Sequence, residues 1–539
     1  MPHREAGTDH ETHRVISRNV VVLIAGKIAY LLSRVALPPF VLGHVGLDEY
    51  GIWACCLIVV TYLGMGVFGI SSVYIRYVAE YHARRDTGRI SELLTTGLTV
   101  TGALGVLVLA GAWLALPSLV RAFDLPPAQH ETAFVLMFGT VAAFVIDLSL
   151  GAFGHVLIGL QRIAEHTVVW VLSSLLEVVL IVVLLLGGFG VCGLLIAFAA
   201  RFAAATLAYA WLCRAALPGL SLRPGLFRRS LLRLFYGYGS VVQISGLLGI
   251  FLYSVEKLLA GFFVGVGATA LFDVGEKFPV MVSGIPASIT SAFLPAMSRL
   301  HTLERRATTQ RLYVQGARYV SMLGGLMMAF LAGFSGPIVV LWLGPDPQYA
   351  NAALILAVFC LPFQMHVTTG PGSALLRGIG EPARELLHPL TQLALVALTV
   401  AVGFATVGRT VPVIAVCVGA SMVTSALVYQ ASINRFLGVP QAAYFARVVT
   451  PGVVPYLLAL ALAALVERWA GVPGDRLHAL VVVATGAAAY SVIVPGAVLF
   501  GLCDRHERDR LARQLLEAAA GLVPARWQPA WLAQHAVAA

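Results

Sequence analysis

Fourteen apolar windows, most of them twenty or more residues long, recur along this chain, and each is long enough to cross the roughly 30 Å hydrocarbon core of a bilayer as a helix. They lie near 19–42, 51–76, 92–116, 133–156, 167–188, 191–213, 238–262, 268–292, 315–341, 350–373, 386–406, 410–432, 449–467 and 478–502. A segment surrounded by lipid must satisfy its own backbone hydrogen bonds, which leaves helices as the form such windows can take. The expected fold class is therefore an all-α integral membrane protein of about fourteen transmembrane helices. Composition agrees: 59% of the 539 residues are hydrophobic and 12% charged, with a mean hydropathy of +0.86, against about 25% charge in soluble domains. The first 18 residues are polar and the following apolar run has no small-residue cleavage site, so it reads as an uncleaved span rather than a signal peptide.

Several function classes drop out at once. A net charge of +10 would suit a nucleic-acid partner, but the basic residues sit in short loops between spans and not on an aromatic-interleaved face. The seven cysteines fall mostly inside spans without paired loop spacing, so neither a disulfide framework nor a zinc site follows, and no metal or cofactor is expected. No external loop exceeds about 16 residues, which leaves no room for a soluble catalytic domain and no catalytic residues to name. A transporter is expected rather than an enzyme. The literal G-x-G-x-x-G at Gly64–Gly69 follows no strand and reads as close helix packing. Asp48-Glu49 sits in a loop too short to hold a sugar acceptor, His366 reads as a core residue, and Cys503 and His506 fall in the basic tail.

Orientation follows from Lys and Arg in short loops. With the N-terminus cytoplasmic, 26 of the 36 basic residues fall on one side and 4 (Arg121, Arg409, Arg468, Arg476) on the other, the remaining 6 lying inside spans. Both termini are thus expected inside. Arg84-Arg85-x-Thr87 recurs as Arg305-Arg306-x-Thr308 at an offset of 221, and the turn at Gly159 is echoed at Gly378 at an offset of 219. Repeats of an even number of spans share one topology, which implies two lobes related by a pseudo-two-fold axis along the membrane normal. The expected division is an N-lobe over 1–216, a basic amphipathic linker over 217–236 lying on the anionic inner leaflet, a C-lobe over 237–435, two added helices over 436–502 and a basic tail over 503–539.

The chemistry is carried by charges inside the spans. A charge near the bilayer centre costs about 2.5–3.5 kcal/mol on insertion scales, so it persists mainly where it meets a partner or a wet cavity. The stretch from Tyr253 to Leu300 alone holds Glu256, Lys257, Asp273, Glu276 and Lys277, with Pro279, Pro286 and Pro295 interrupting its second helix. The three lysines of the chain, Lys27, Lys257 and Lys277, all lie in spans, and Arg34 follows Lys27 at i+7 on the first helix. Hairpin geometry about Phe189 places Glu177 and Arg201 at equal depth, and that about Gly265 does the same for Lys257 and Asp273, while Asp273 and Lys277 compete at i,i+4. Five acids (Asp147, Glu177, Glu256, Asp273, Glu276) face five bases (Lys27, Arg34, Arg201, Lys257, Lys277), with Arg76 at the inner rim. Lys27 and Arg34 alone have no acid at matching depth on an adjacent helix, which makes them the leading candidates for an anionic ligand, ahead of Lys277, Lys257 and Arg76.

The stretch LDEYGIWACCLIVVTYLGMGVFGISSVYIRYVAEYHARRDTGRISELL from Leu47, GLQR at 159–162, VEKLLAGFFVG at 255–265, LPAMSRL at 294–300 and LWLG at 341–344 followed by LRGIGEP resemble the polysaccharide transporter branch of the multidrug/oligosaccharidyl-lipid/polysaccharide flippase superfamily, the O-antigen and exopolysaccharide flippases being the nearest type. The resemblance spans roughly residues 15 to 435. It implies a V-shaped bundle that moves a polyprenyl-diphosphate-linked oligosaccharide from the inner to the outer leaflet of the bacterial cytoplasmic membrane, with glycan polymerases or glycosyltransferases as partners and a monomer as the working unit. Such a task needs fixed cations for the diphosphate. The substrate-binding set is then Lys27, Arg34, Arg76, Lys257 and Lys277, with Asp147, Glu177, Arg201, Glu256, Asp273 and Glu276 left to ion coupling or structural pairs. A peptidoglycan lipid-precursor flippase is the nearest alternative. A cation-coupled multidrug exporter of the same superfamily would place a carboxylate in the first helix, where this chain has Lys27 and Arg34.

Overall fold

The computed structural model describes residues 5–65, 68–123, 125–233, 235, 254–290, 293, 297, 306–502 and 508, with side chains described throughout except at 5–29, 31, 32, 64, 65, 68–70, 72, 382 and 502. No strand occurs among them. The helices are α1 (Glu5–Met65), α2 (Phe68–Ala83), α3 (Thr87–Ala122), α4 (His130–Leu150), α5 (Ala152–Gly159), α6 (Ile163–Leu186) and α7 (Gly190–Ala216). A short helix α8 over 254–263 is followed by α9 (Val266–Gly275), α10 (Lys277–Thr290), α11 (Arg306–Gly333) and α12 (Ser335–Leu343). Then come α13 (Ala350–Thr368), α14 (Gly370–Gly378), α15 (Leu387–Thr406), α16 (Val411–Leu437), α17 (Gln441–Ala470) and α18 (Arg476–Leu502).

Ten helices of the described residues are long and apolar enough to cross a membrane, or eleven if the bent pair α11–α12 counts as one. The chain is an all-α, multi-pass membrane protein. Part of the difference from fourteen lies at 238–253, outside the described residues, where an expected window begins. Another part lies in α1, where the first two windows are joined across Gly46, whose φ of 80° lies in the left-handed region that glycine adopts without strain. The window expected at 315–341 is broken, because α11 and α12 meet at 68°.

The chain divides into two compact units, Met1–Lys277 with Leu386–Ser421, and Phe278–Glu385 with Met422–Ala539. In the first unit Tyr74, Leu93, Leu94, Val156, Leu157 and Tyr209 are buried together. In the second the core gathers Tyr313, Met365, Leu375, Tyr429, Ile433 and Tyr444. Leu107, Leu114, Leu457 and Phe500 are exposed, as expected where hydrocarbon rather than water is the solvent.

The linker after α7 corrects one expectation. Over 217–233 it forms two short 3-10 turns rather than a membrane-facing strip. Ser221 N donates to Ser91 Oγ at 3.1 Å, Arg228 N to Thr96 Oγ1 at 3.0 Å and Arg228 Nε to Glu92 Oε1 at 2.8 Å. These bonds dock it on α3, and Leu231 and Phe235 are buried in the core of the first unit. Leu217, Leu231 and Phe235 thus pack against protein and not against the leaflet, while Leu222, Arg223, Arg229 and Arg233 stay exposed.

Candidate functional site

Two charge clusters and one cavity lie within the first unit. The cavity, of about 490 Å³, is lined by α4 and α5 (Phe144, Asp147, Gly151, His155), by α6 (His166, Trp170, Ser173) and by α7 (Arg201, Phe202, Tyr209), with Ser71 and Tyr74 from α2. The lining residues of α6 recur at i, i+4 and i+7, and Glu177 continues the row at i+11, so one stripe of an otherwise apolar helix is polar and aromatic. That stripe was legible in the sequence, yet charge pairing alone singled out only Glu177 from it. His155, His166, Trp170, Ser173 and Tyr209 were therefore missed.

Beside the cavity, one Glu177 oxygen accepts from Arg34 Nη2 at 2.9 Å and from Arg201 Nη1 at 3.2 Å. Glu177 is buried, and the Arg34 guanidinium also sits 4.9 Å from the centroid of the Tyr30 ring. The Glu177–Arg201 pairing inferred from hairpin depth is present. The inference that Arg34 has no acid at its depth is corrected: α6 packs against α1 and brings Glu177 to it. Sequence spacing measures depth along neighbouring helices of a hairpin, and α1 and α6 are not neighbours in sequence. Two guanidiniums on one carboxylate leave this triad with one positive charge in excess. Lys27 lies in α1 two turns before Arg34, and its side chain is outside the described residues.

The second cluster joins α1 to α8, α9 and α10. Asp273 accepts from Lys257 Nζ at 3.2 Å, Lys277 Nζ at 2.9 Å and the Tyr50 hydroxyl at 2.8 Å. Both pairings weighed for Asp273 occur together, because a carboxylate has lone pairs for several donors. Lys257 also reaches Glu276 at 3.7 Å. Glu256 and Glu276 are both buried and lie against one another, each with one carboxyl oxygen that has no hydrogen-bond partner. Three carboxyl groups thus share two ammonium groups. Arg76, by contrast, is exposed on α2, 5.4 Å from the centroid of the Tyr77 ring. Asp147 and Arg201 both line the cavity. Among the described residues no three His, Cys, Asp or Glu side chains are arranged so that they could hold a metal ion.

The family model described as polysaccharide biosynthesis protein matches residues 16–301, more than half of the chain. The chain belongs to the polysaccharide biosynthesis protein family. The matched region runs from α1 to α10 and so contains both charge clusters and the cavity. A relative in Bacillus subtilis (strain 168), the uncharacterized membrane protein EpsK, is 25% identical over 331 residues, which is 59% of this chain and 64% of EpsK. The chain thus spans under two thirds of that relative. Among solved structures, the lipid II flippase MurJ in an inward closed conformation matches with a TM-score of 0.65 at 12% identity, covering 90% of this chain and all of MurJ. An inward-facing multidrug resistance MATE family transporter of the MOP superfamily matches with a TM-score of 0.59 at 19% identity, over 77% of this chain and 94% of its own. At such identities the family member shares a fold with these transporters.

Proposed function

We propose that this protein is a flippase that translocates a polyprenyl-diphosphate-linked oligosaccharide, an O-antigen or exopolysaccharide repeat unit, from the cytoplasmic to the outer leaflet of the inner membrane. The observation that carries the reading is the Arg34–Glu177–Arg201 triad beside a largely apolar cavity whose lining includes Asp147, two histidines and several aromatic rings, in a chain of the polysaccharide biosynthesis family. Guanidiniums offer a bidentate fork to phosphate oxygens, and a shared carboxylate holds the two forks in place before the ligand arrives. The aromatic faces of Trp170, Phe202 and Tyr209 suit the apolar faces of sugar rings. Lys27, Lys257, Lys277 and Arg76 are the further cations of the reading.

In this reading two lobes rock about the bound diphosphate, closing one face and opening the other. Two negative charges moving outward against an inside-negative potential of about 100 mV gain roughly 4–5 kcal/mol. Protein cations travelling with the phosphates would shrink that gain, and Asp147, Glu256 and Glu276 are the carboxyl groups placed to carry a coupling ion. Both termini are cytoplasmic, glycosyltransferases and a glycan polymerase act before and after the step, and the monomer suffices.

The test is flipping of a fluorescent polyprenyl-diphosphate oligosaccharide in proteoliposomes, read by loss of accessibility to an added reductant. The Lys27→Gln/Arg34→Gln variant is expected to lose at least about tenfold in rate, the scale of one or two charge-assisted contacts. Unchanged flipping would remove these two cations from the mechanism. Faster transport of lipid II than of the oligosaccharide lipid would transfer the proposal to the peptidoglycan precursor.

A further inference from the structure

The second unit holds a recess that the transport reading does not use. It has a volume of about 250 Å³ and is lined by Gln310, Arg311, Val314 and Gln315 of α11, by Gly438, Val439 and Pro440 of the turn after α16, and by Ala443, Tyr444 and Arg447 of α17. Arg311 and Arg447 are exposed, and neither makes an ion pair among the described residues. Among the described residues no carboxylate lines the recess. The charged intramembrane groups of the first unit are mostly neutralised by close partners, whereas these two guanidiniums are left to solvent or ligand.

The helix ends at its rim add to this anionic preference, and the local backbone shapes the recess. The helix α17 starts at its rim after Pro440, with no side-chain cap on its first amides, and uncapped N-terminal N–H groups with the helix dipole attract negative charge. The opposite-signed end of α16 at Leu437 is covered, because Gln310 Nε2 donates to the Leu437 carbonyl. Residues Phe445–Val449 form a π-turn within α17. Such single-turn insertions rotate the side chains that follow and recur at functional sites, and this one carries Arg447. Gln441 is fixed to α16 by Asn434 Nδ2, which donates to its Oε1 at 3.0 Å, so the rim is held in place.

We propose that this recess binds a phosphate-bearing anion, with Arg311 and Arg447 as its cations, and that the anion is the headgroup of an acidic phospholipid. The recess opens where α16 ends and α17 begins, close to Arg435, and helix ends of membrane spans lie at headgroup level. Basic pockets between spans are a recurring way to hold acidic lipids. The recess shares no residue with the triad, and the proposal does not depend on what the protein transports.

The experiment titrates the purified full-length protein with phosphatidylglycerol, with phosphatidylcholine and with inorganic phosphate, following its thermal unfolding midpoint. The variants are Arg311→Gln/Arg447→Gln and, as a control that removes the same charge at exposed positions elsewhere, Arg214→Gln/Arg229→Gln. The expected result is a stabilisation by phosphatidylglycerol, absent with phosphatidylcholine, whose half-point moves on the order of tenfold higher in the recess variant and stays in place in the control. Equal stabilisation by millimolar inorganic phosphate, lost in the same variant, supports the phosphate site and assigns it to a soluble anion instead of a lipid. An unchanged half-point in the recess variant overturns the proposal, and so does an equal shift in both variants. The two variants without ligand should unfold at the wild-type temperature, which separates a lost site from a damaged fold.

Discussion

The two units hold their helices together by different chemistry. In the first, neutral bonds such as that from the Tyr209 hydroxyl to the His166 carbonyl at 3.2 Å are joined by ion pairs on buried or partly buried carboxylates: Arg34 and Arg201 on Glu177, and Lys257 and Lys277 on Asp273. In the second the buried polar contacts between helices are neutral. Gln364 Nε2 donates to the Ser321 and Gly452 carbonyls at 3.1 and 2.9 Å, the Tyr313 hydroxyl donates to Asn434 Oδ1 at 3.1 Å, and Ser373 and Tyr429 share a hydrogen bond of 3.0 Å. Its ion pairs, such as Arg377 with Glu385, sit on exposed arginines. An amide costs much less to bury than a charge and still ties three helices. Neutral bonding therefore suffices for a scaffold, and the costlier ionic groups lie in the region where the proposed function places its charged ligand.

That contrast can be broken first at Glu177. Glu177→Gln keeps the shape but leaves two guanidiniums without their counter-charge, and removing one partner of a buried pair costs about 3 kcal/mol. A detergent or nanodisc unfolding titration should show the largest loss of any change in this series. A loss under about 1 kcal/mol would mean that Arg34 and Arg201 are well solvated by the cavity. Next in size is Gln364→Leu, which leaves the Ser321 and Gly452 carbonyls with one donor fewer. A cost of about 1–2 kcal/mol is expected in the same titration, with transport unchanged, because the second unit is assigned a supporting role. The smallest effect belongs to Arg377→Ala. Its bidentate pair with Glu385, at 2.8 to 3.1 Å, is well formed, but the arginine side chain is 62% exposed and such pairs contribute less than about 1 kcal/mol. That contribution should fall further in high salt.

The pairs legible in advance were those within one hairpin. Glu177 with Arg201, and Lys257 with Asp273, follow from counting residues outward from a turn, because both arms of a helical hairpin climb at the same rise per residue. Arg34 escaped that count, since the helix that neutralises it is five elements away in the chain. The docking of the linker on α3 was equally hidden, as Leu231 and Phe235 read as lipid-facing until Tyr74 and the α3 face are found against them. The polar stripe of His166, Trp170, Ser173 and Glu177 was visible as helical periodicity, but its facing residues on α4, α5 and α7 were not.

The sequence by itself determined the class of the molecule, the approximate place of most spans and the identity of the charges that lipid would not tolerate alone, because the cost of burying polar groups in hydrocarbon acts locally on every window. Only the tertiary structure decided which charge meets which. It put two guanidiniums on one carboxylate, two ammonium groups on another, and left Arg311 and Arg447 facing an open recess. Ion pairing depends on approach within about 4 Å, and that distance is set by how non-adjacent helices pack, which residue spacing does not encode.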